Sequence, residues 1–271
     1  MKTLTVEQIQ AIETSMLATV VKILNENEIP YYALFGTALG AVRHRGTIPW
    51  DSDVDLGIPY NFLTKALECL RQEISSEYVV VFHDTDKNYP YLFPRVGLAG
   101  VSHAHLHIDL FPLIGIPDDE LQRKRMFSAF KIIHKIYPMK KHKSVWGRTP
   151  FQKKIKTILY RILQAVYPKS IATLEANYET LCNRVPFDAA SYVFAVCPDE
   201  SEQNIFPKEW LHESIRVPYH YVELTIPKNY EAYLTHIYGD YLKYPNKEEQ
   251  EKGLGFTMEV PQHIFIPSLL A

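Results

Sequence analysis

Two aspartates that alternate with apolar residues are the first sign of chemistry in this sequence. They lie in the stretch Asp53-Val54-Asp55-Leu56. On a β-strand, side chains two residues apart point to the same face, so Asp53 and Asp55 are predicted to project together. Two neighbouring carboxylates repel each other and raise each other's pKa unless a cation lies between them. A divalent metal ion is the cation that such oxygen ligands hold.

A third carboxylate comes from the apolar stretch Ile108-Asp109-Leu110-Phe111. A charge among apolar residues is unfavourable without a partner, so a strand over 103–111, ended by Pro112, is predicted to bring Asp109 to the first pair. Asp53, Asp55 and Asp109 are then the predicted catalytic groups and metal ligands. The ion would be Mg²⁺ or Mn²⁺, and two such ions would clamp the attacking and leaving oxygens of a displacement at phosphorus.

Phosphate-binding groups are predicted beside these carboxylates. Gly36 and Thr37 follow an apolar strand and precede a short helix. There they offer backbone N–H groups and a hydroxyl, and glycine permits close approach. Arg43 and Arg95 are candidates for neutralising phosphate charge. His44 is either a further phosphate contact or the structural partner of an aspartate.

The elements that must position these groups alternate between helix and strand. Residues 5–28 have helical spacing of apolar residues, and 78–82 and 91–96 are rich in β-forming residues. In the loop before the first aspartate pair, Trp50 is predicted to pack and Asp51 to support the site. The pattern predicts an α+β protein.

The chain is predicted to divide near residue 118. Residues 1–118 form an α/β core, and 119–271 form a mostly helical portion packed on it. Residues 121–174 contain no Asp or Glu and hold 14 of the 29 Lys and Arg residues. Two helices with a basic face are expected there, over 121–136 and 151–166. Such a segment favours an anionic partner, either a phosphorylated glycan or an acidic membrane, or is a solvated face balanced elsewhere.

Composition bounds the remaining possibilities. The chain has 271 residues, of which 46% are hydrophobic and 22% charged, as in ordinary folded proteins. No apolar run reaches the roughly 18–20 residues that cross a bilayer, and no signal peptide is evident. The 3 cysteines are scattered without metal-ligand spacing, which suits a reducing compartment. A cytoplasmic location is expected.

Three stretches together resemble a known family. They are GTALGAVRHRGTIPWDSDVDLGI, HIDLFPL and IPKNYEAYLTHIYGDYLKYP. They are similar to the LicD family of phosphocholine transferases, to which fukutin and fukutin-related protein are related. The resemblance implies a polymerase-β-type nucleotidyltransferase fold, a mixed sheet with helices, followed by the mostly helical portion. Ser52 and Ile114 depart from the family pattern, which has acidic residues at these positions in many relatives.

The family resemblance also implies an activity. Its members transfer a phospho-alcohol from a CDP-alcohol to a sugar hydroxyl, with CMP leaving. CDP-choline is the favoured donor, and the acceptor would be a bacterial surface glycan, free or lipid-linked: teichoic acid, lipopolysaccharide or capsule. By this resemblance Asp53, Asp55 and Asp109 bind the metal, and Gly36 and Thr37 face the nucleotide phosphates.

Two other functions remain open from the residues themselves. A nucleotidyltransferase that moves NMP from an NTP to a small alcohol or antibiotic would use the same carboxylates, and it would release pyrophosphate. A non-enzymatic nucleic-acid-binding module would use the basic helices. Nucleic acid is the weaker candidate partner, because the basic residues are not interleaved with aromatic residues at stacking spacing.

Overall fold

The computed structural model describes residues 2–101, 106–141, 154–155, 157–158, 161–162, 170–198, 201–255 and 257–261. The helices in these ranges are α1 Val6–Glu26, α2 Phe35–His44, α3 Tyr60–Glu73, α4 Glu120–Lys141, α5 Ile171–Cys182, α6 Tyr230–Tyr238 and α7 Lys247–Leu254. The strands are β1 Lys2–Leu4, β2 Tyr32–Ala33, β3 Val54–Pro59, β4 Tyr78–Val81, β5 Arg95–Leu98, β6 His107–Ile116, β7 Tyr192–Ala195, β8 Ile205–Pro207, β9 Ser214–Tyr219, β10 Val222–Pro227 and β11 Met258–Val260. The protein is therefore mixed α+β, as predicted.

A mixed sheet of seven described strands forms the centre of the fold. Its order is β2-β3-β6-β5-β4, and β7 and β8 continue it beside the second half of β6. Strands β3 and β6 are parallel, and the other pairs are antiparallel. The alternation in β3 buries Val54 and Leu56 at 1% and 0% exposure, which confirms the predicted core face of this strand.

Helix α1 packs along this core and confirms the prediction for 5–28. Thr5 and Gln8 form a capping box, in which each side chain accepts a hydrogen bond from the other residue's backbone N–H. The helix buries an apolar face that includes Ile9, Ile12 and Met16. Helix α3 begins directly after β3 and buries Leu63, Ala66, Leu67 and Leu70.

Two local predictions were wrong. Helix α2 begins at Phe35, so Gly36 and Thr37 lie in its first turn rather than in a preceding loop. Strand β6 does not end at Pro112 but continues to Ile116. Proline is tolerated there because its neighbour changes: Leu110 N donates to Pro94 O before it, and Val196 N donates to Pro112 O after it. The missing N–H of Pro112 therefore falls where one partner strand has ended and the next begins.

The portion after residue 118 contains strands as well as helices. Strands β7 and β8 come from this portion and complete the central sheet, so the sheet draws on both sides of the predicted boundary. Helix α4 confirms the first basic helix, whereas most of 151–166 and the first residues of the strand predicted over 103–111 lie outside the described residues. Within the part of the chain that the structure describes, no helix combines the length and the apolar character needed to cross a bilayer.

Candidate active site

Strands β3 and β6 bring two of the predicted aspartates side by side. Because the strands are parallel and in register, Asp55 and Asp109 are direct Cα partners. On the other side of Asp109, the antiparallel strand β5 places Arg95 opposite it. Residues paired across neighbouring strands project to the same face. The sheet register thus assembles two carboxylates and one guanidinium from three separate stretches of sequence.

Arg95 and Asp109 form a buried ion pair. Arg95 Nε lies 2.6 Å from Asp109 Oδ1, and Nη2 lies 3.3 Å from Oδ2. Both residues are buried, at 6% and 7% exposure. The guanidinium also lies over the Tyr91 ring, 4.0 Å from its centroid, and His107 Nε2 is 3.4 Å from Asp109 Oδ1. Arg95 therefore contacts a predicted metal ligand directly.

These groups line one pocket of about 530 Å³. Asp53, Asp55 and Asp109 all contribute to its wall, together with Arg95 and His107. Asp53 lies just before β3, and Asp55 lies on the strand. The three predicted carboxylates thus meet in a single cavity.

The described lining of this pocket has three aspartates against one arginine. Burial raises the pKa of Asp109 to about 6, although Arg95 opposes the shift. Burial, with the charges of Asp109, Asp53 and Asp51, holds the pKa of Asp55 well above its usual value. Burial also raises the pKa of Asp53, against the effect of Arg95, and burial with the charge of Asp53 raises that of Asp51 to about 6. Such a cluster of raised pKa values is typical of a functional site.

A further acid near these aspartates, Glu13 of α1, was not among the predicted site residues. It is only 2% exposed, and its Oε2 has no hydrogen-bond partner among the described residues. Burial raises its pKa well above the usual value, and the charges of Asp53 and Asp51 add to the shift. The only sequence signal was a glutamate on the apolar face of an amphipathic helix.

The N-terminus of α2 borders the pocket through Phe35. The Phe35 backbone has φ 44°, which is strained for a bulky residue, and its N–H donates to Tyr233 Oη at 3.1 Å. Thr37 is buried, and its Oγ1 accepts a hydrogen bond from Asp55 N at 2.8 Å. A Cβ at Gly36 would overlap the Asp51 carboxylate, so glycine is needed for this close approach. The helix terminus and the aspartates are therefore built as one unit.

Arg43, His44 and Trp50 lie outside this pocket, around a neighbouring one. Arg43 Nη1 donates to Tyr241 O at 2.8 Å, and its guanidinium lies 4.7 Å from the Tyr244 ring centroid. The His44 ring packs against Trp50 and Tyr244. Trp50 therefore packs as predicted, and phosphate contacts by Arg43 and His44 stay predictions.

The donor set suits a divalent cation in its chemistry. Several carboxylates with raised pKa values would all be stabilised in their charged form by one ion. As the side chains are placed, however, no group of three His, Cys, Asp or Glu in the described ranges is arranged to hold a metal ion. Arg95 engages both oxygens of Asp109. A metal ion bound by Asp109 would therefore share these oxygens with the Arg95 guanidinium.

Comparison with known proteins agrees with this geometry. Residues 28–148 match the family model described as LicD/FKTN/FKRP, nucleotidyltransferase domain. These residues contain α2 and β2 to β6, and hence every aspartate of the pocket. This part of the chain is therefore similar to the nucleotidyltransferase domain of the LicD family.

Particular relatives extend the comparison along the chain. The protein is 23% identical to lipopolysaccharide cholinephosphotransferase LicD of Haemophilus influenzae in an alignment of 271 positions, gaps included, that spans 93% of this chain and 96% of that protein. It is 29% identical over 122 residues to an uncharacterized protein of Rickettsia prowazekii, covering 45% of this chain and 42% of the relative. The first similarity includes the C-terminal portion, which lies beyond the matched domain.

Proposed function

We propose that this protein transfers phosphocholine from CDP-choline to a sugar hydroxyl of a lipopolysaccharide-type surface glycan. The observation that carries the proposal is the strand register, which places Asp55 beside Asp109 in a pocket with more carboxylates than cations. The similarity to a cholinephosphotransferase along nearly the whole chain supports the donor and acceptor classes. We also infer that the mixed sheet is of the nucleotidyltransferase type.

In the proposed reaction the acceptor hydroxyl oxygen attacks the phosphorus that bears choline. A new P–O bond forms to the sugar, the bond to the bridging oxygen breaks, and CMP leaves with the electron pair. Asp109 is the group that we propose to accept the hydroxyl proton. Mg²⁺ held by Asp53, Asp55 and Asp109 would neutralise charge on the phosphate oxygens.

The start of α2 is suited to the phosphates. The Phe35 N–H is taken by Tyr233 Oη, but the N-cap residue Leu34 makes no side-chain hydrogen bond. The next N–H groups of the first turn, those of Gly36 and Thr37, are therefore the ones we propose for an anion. Gly36 admits the Asp51 carboxylate beside this terminus, and Thr37 Oγ1 accepts a hydrogen bond from the backbone of Asp55 at the same place. Phosphate and metal ligands would thereby share one rigid frame.

The test is CMP release by the purified protein with CDP-choline and a lipopolysaccharide acceptor, with Mg²⁺ or with EDTA. We expect acceptor-dependent CMP release that EDTA abolishes, and phosphocholine on the glycan. CDP-ribitol and CDP-glycerol serve as alternative donors. Asp188→Asn, an exposed carboxylate outside the pocket, is the matched control for aspartate variants. Absence of CMP with every donor, or release of pyrophosphate from an NTP instead, would refute the proposal.

A further inference from the structure

A second pocket of about 580 Å³ adjoins the first. Tyr238 borders both pockets. The boundary also runs through the start of α2, because Phe35 lines the first pocket and Gly36 lines the second. A phosphate at this helix terminus would therefore lie between the two pockets, and a group attached to it can enter either.

Aromatic rings form much of the second pocket's wall: Trp50, Tyr238, Tyr241 and Tyr244. Tyr238 and Tyr244 are 42% and 51% exposed, so these large rings are not buried in the core. Exposed aromatic rings that gather in a concave surface are typical of ligand sites.

The wall is held in shape before any ligand arrives. Trp50, His44 and Tyr244 pack edge to face, with ring centroids 5.6 to 5.9 Å apart. Arg43 fixes the loop that carries Tyr244 by donating to Tyr241 O at 2.8 Å and Lys243 O at 3.3 Å. Helix α7 closes in from the other side, where a Cβ at Gly253 would overlap the Trp50 backbone. Preorganised rings lose little freedom on binding a ligand.

The charges of the pocket favour a cation. Asp51, Asp240 and Glu249 line it, against Arg43 and Lys243. The Arg43 guanidinium already lies over one face of Tyr244, 4.7 Å from the ring centroid, and bonds to backbone carbonyls. Aromatic faces surrounded by carboxylates attract a quaternary ammonium ion through cation–π contacts and long-range charge.

We infer that the second pocket binds the trimethylammonium headgroup of the donor, with its phosphate at the start of α2 and its phosphorus facing the aspartates of the first pocket. This assignment rests on the proposed function, because it assumes a choline-bearing donor. A pyrimidine base would also stack on the rings, but it is neutral and gains no attraction from the three carboxylates that line the pocket.

The test is calorimetric titration of the full chain with choline chloride, with its neutral isostere 3,3-dimethylbutan-1-ol and with CMP. We expect choline to bind, and the neutral isostere to bind at least about tenfold more weakly. Tyr244→Leu should weaken choline binding about tenfold and Glu249→Gln a few fold, while CMP affinity is unchanged. Tyr221→Leu, at a 71% exposed tyrosine outside both pockets, is the matched control.

Three results would overturn the assignment: no binding of choline, equal choline affinity in all variants, or a fall in CMP affinity in place of choline affinity. Glu249 is an exposed residue on α7, so Glu249→Gln remains informative if Tyr244→Leu misfolds. The titration needs no turnover. A protein that releases CMP from CDP-choline but binds choline elsewhere would refute only the pocket, whereas no CMP release would refute the transferase proposal.

Discussion

The pocket at β3 and β6 and the helical layer of α4 and α5 treat buried charges in opposite ways. In the helical layer, Glu175 is paired with Lys141 at 3.2 Å and accepts a hydrogen bond from Tyr137 at 2.6 Å. In the pocket, Arg95 faces several carboxylates whose pKa values are raised. One region satisfies its charges and the other leaves an excess of one sign, which is the pattern expected of a binding site beside a structural core.

The largest effect should come from removing one charge of the pocket. Asp55→Asn is expected to lower CMP release about a thousandfold, because it removes a proposed metal ligand. The same change should raise the melting temperature of the metal-free protein, since it relieves repulsion with Asp109 and Asp53. Activity assays and thermal unfolding measure the two effects. Full activity of the variant would contradict the proposed role of Asp55. A loss of activity together with a lower melting temperature would contradict the excess of negative charge in the pocket.

Arg95→Met should cost stability rather than relieve it. Removing the cation leaves Asp109 buried without its partner, which costs about 3–5 kcal/mol. The loss should be smaller at pH 5 than at pH 8, because protonation neutralises Asp109. Urea unfolding at both pH values measures it. Arg71→Met is the control: its pair with Asp84 is partly exposed and should contribute under about 1 kcal/mol. Equal losses for both variants would contradict the argument.

In the helical layer, the buried His134 is expected to make the protein less stable in acid. Its ring nitrogens are buried without hydrogen-bond partners among the described residues, and burial lowers its pKa to about 4. The unfolded chain therefore takes up the proton first, and stability falls as the pH drops from about 6.5 towards 4, by up to about 3 kcal/mol. His134→Phe should flatten this part of the profile of unfolding free energy against pH. Parallel profiles would refute the assignment.

Glu13→Gln should give the smallest effect and the opposite pH dependence. Because the folded pKa of Glu13 is raised, its contribution to stability is full below the unfolded pKa of 4.5 and is lost as the pH rises through the folded pKa. The variant should gain about 1 kcal/mol over the wild type at pH 8 and nothing at pH 4. Melting temperatures at the two pH values check this. A variant that is less stable at pH 8 would show that Glu13 is stabilised there.

Local patterns made much of the frame predictable. The capping box of Thr5, the alternation around Asp55 and the apolar run around Asp109 each follow from neighbouring residues. Strand β6 was predicted too short because the effect of Pro112 depends on which strand lies beside it. That neighbour, β7, is some 80 residues away in the sequence.

The rest of the site depends on long-range packing. The position of Glu13 on the apolar face of α1 does not reveal that this face packs near the aspartates. The link between Arg95 and Asp109 needs the register of β5 on β6. Tyr238 and Tyr244 line one pocket only when the segment after α6 folds back onto α2. Local sequence periodicity does not predict these long-range contacts.

The bond from Arg43 to the Tyr241 carbonyl joins positions 198 residues apart. During translation, the N-terminal half therefore emerges from the ribosome long before the second pocket has its far wall. A nascent chain stalled midway would present the aspartates to solvent without the loop that closes over Trp50. The second pocket is consequently incomplete until the segment through α7 has been synthesised.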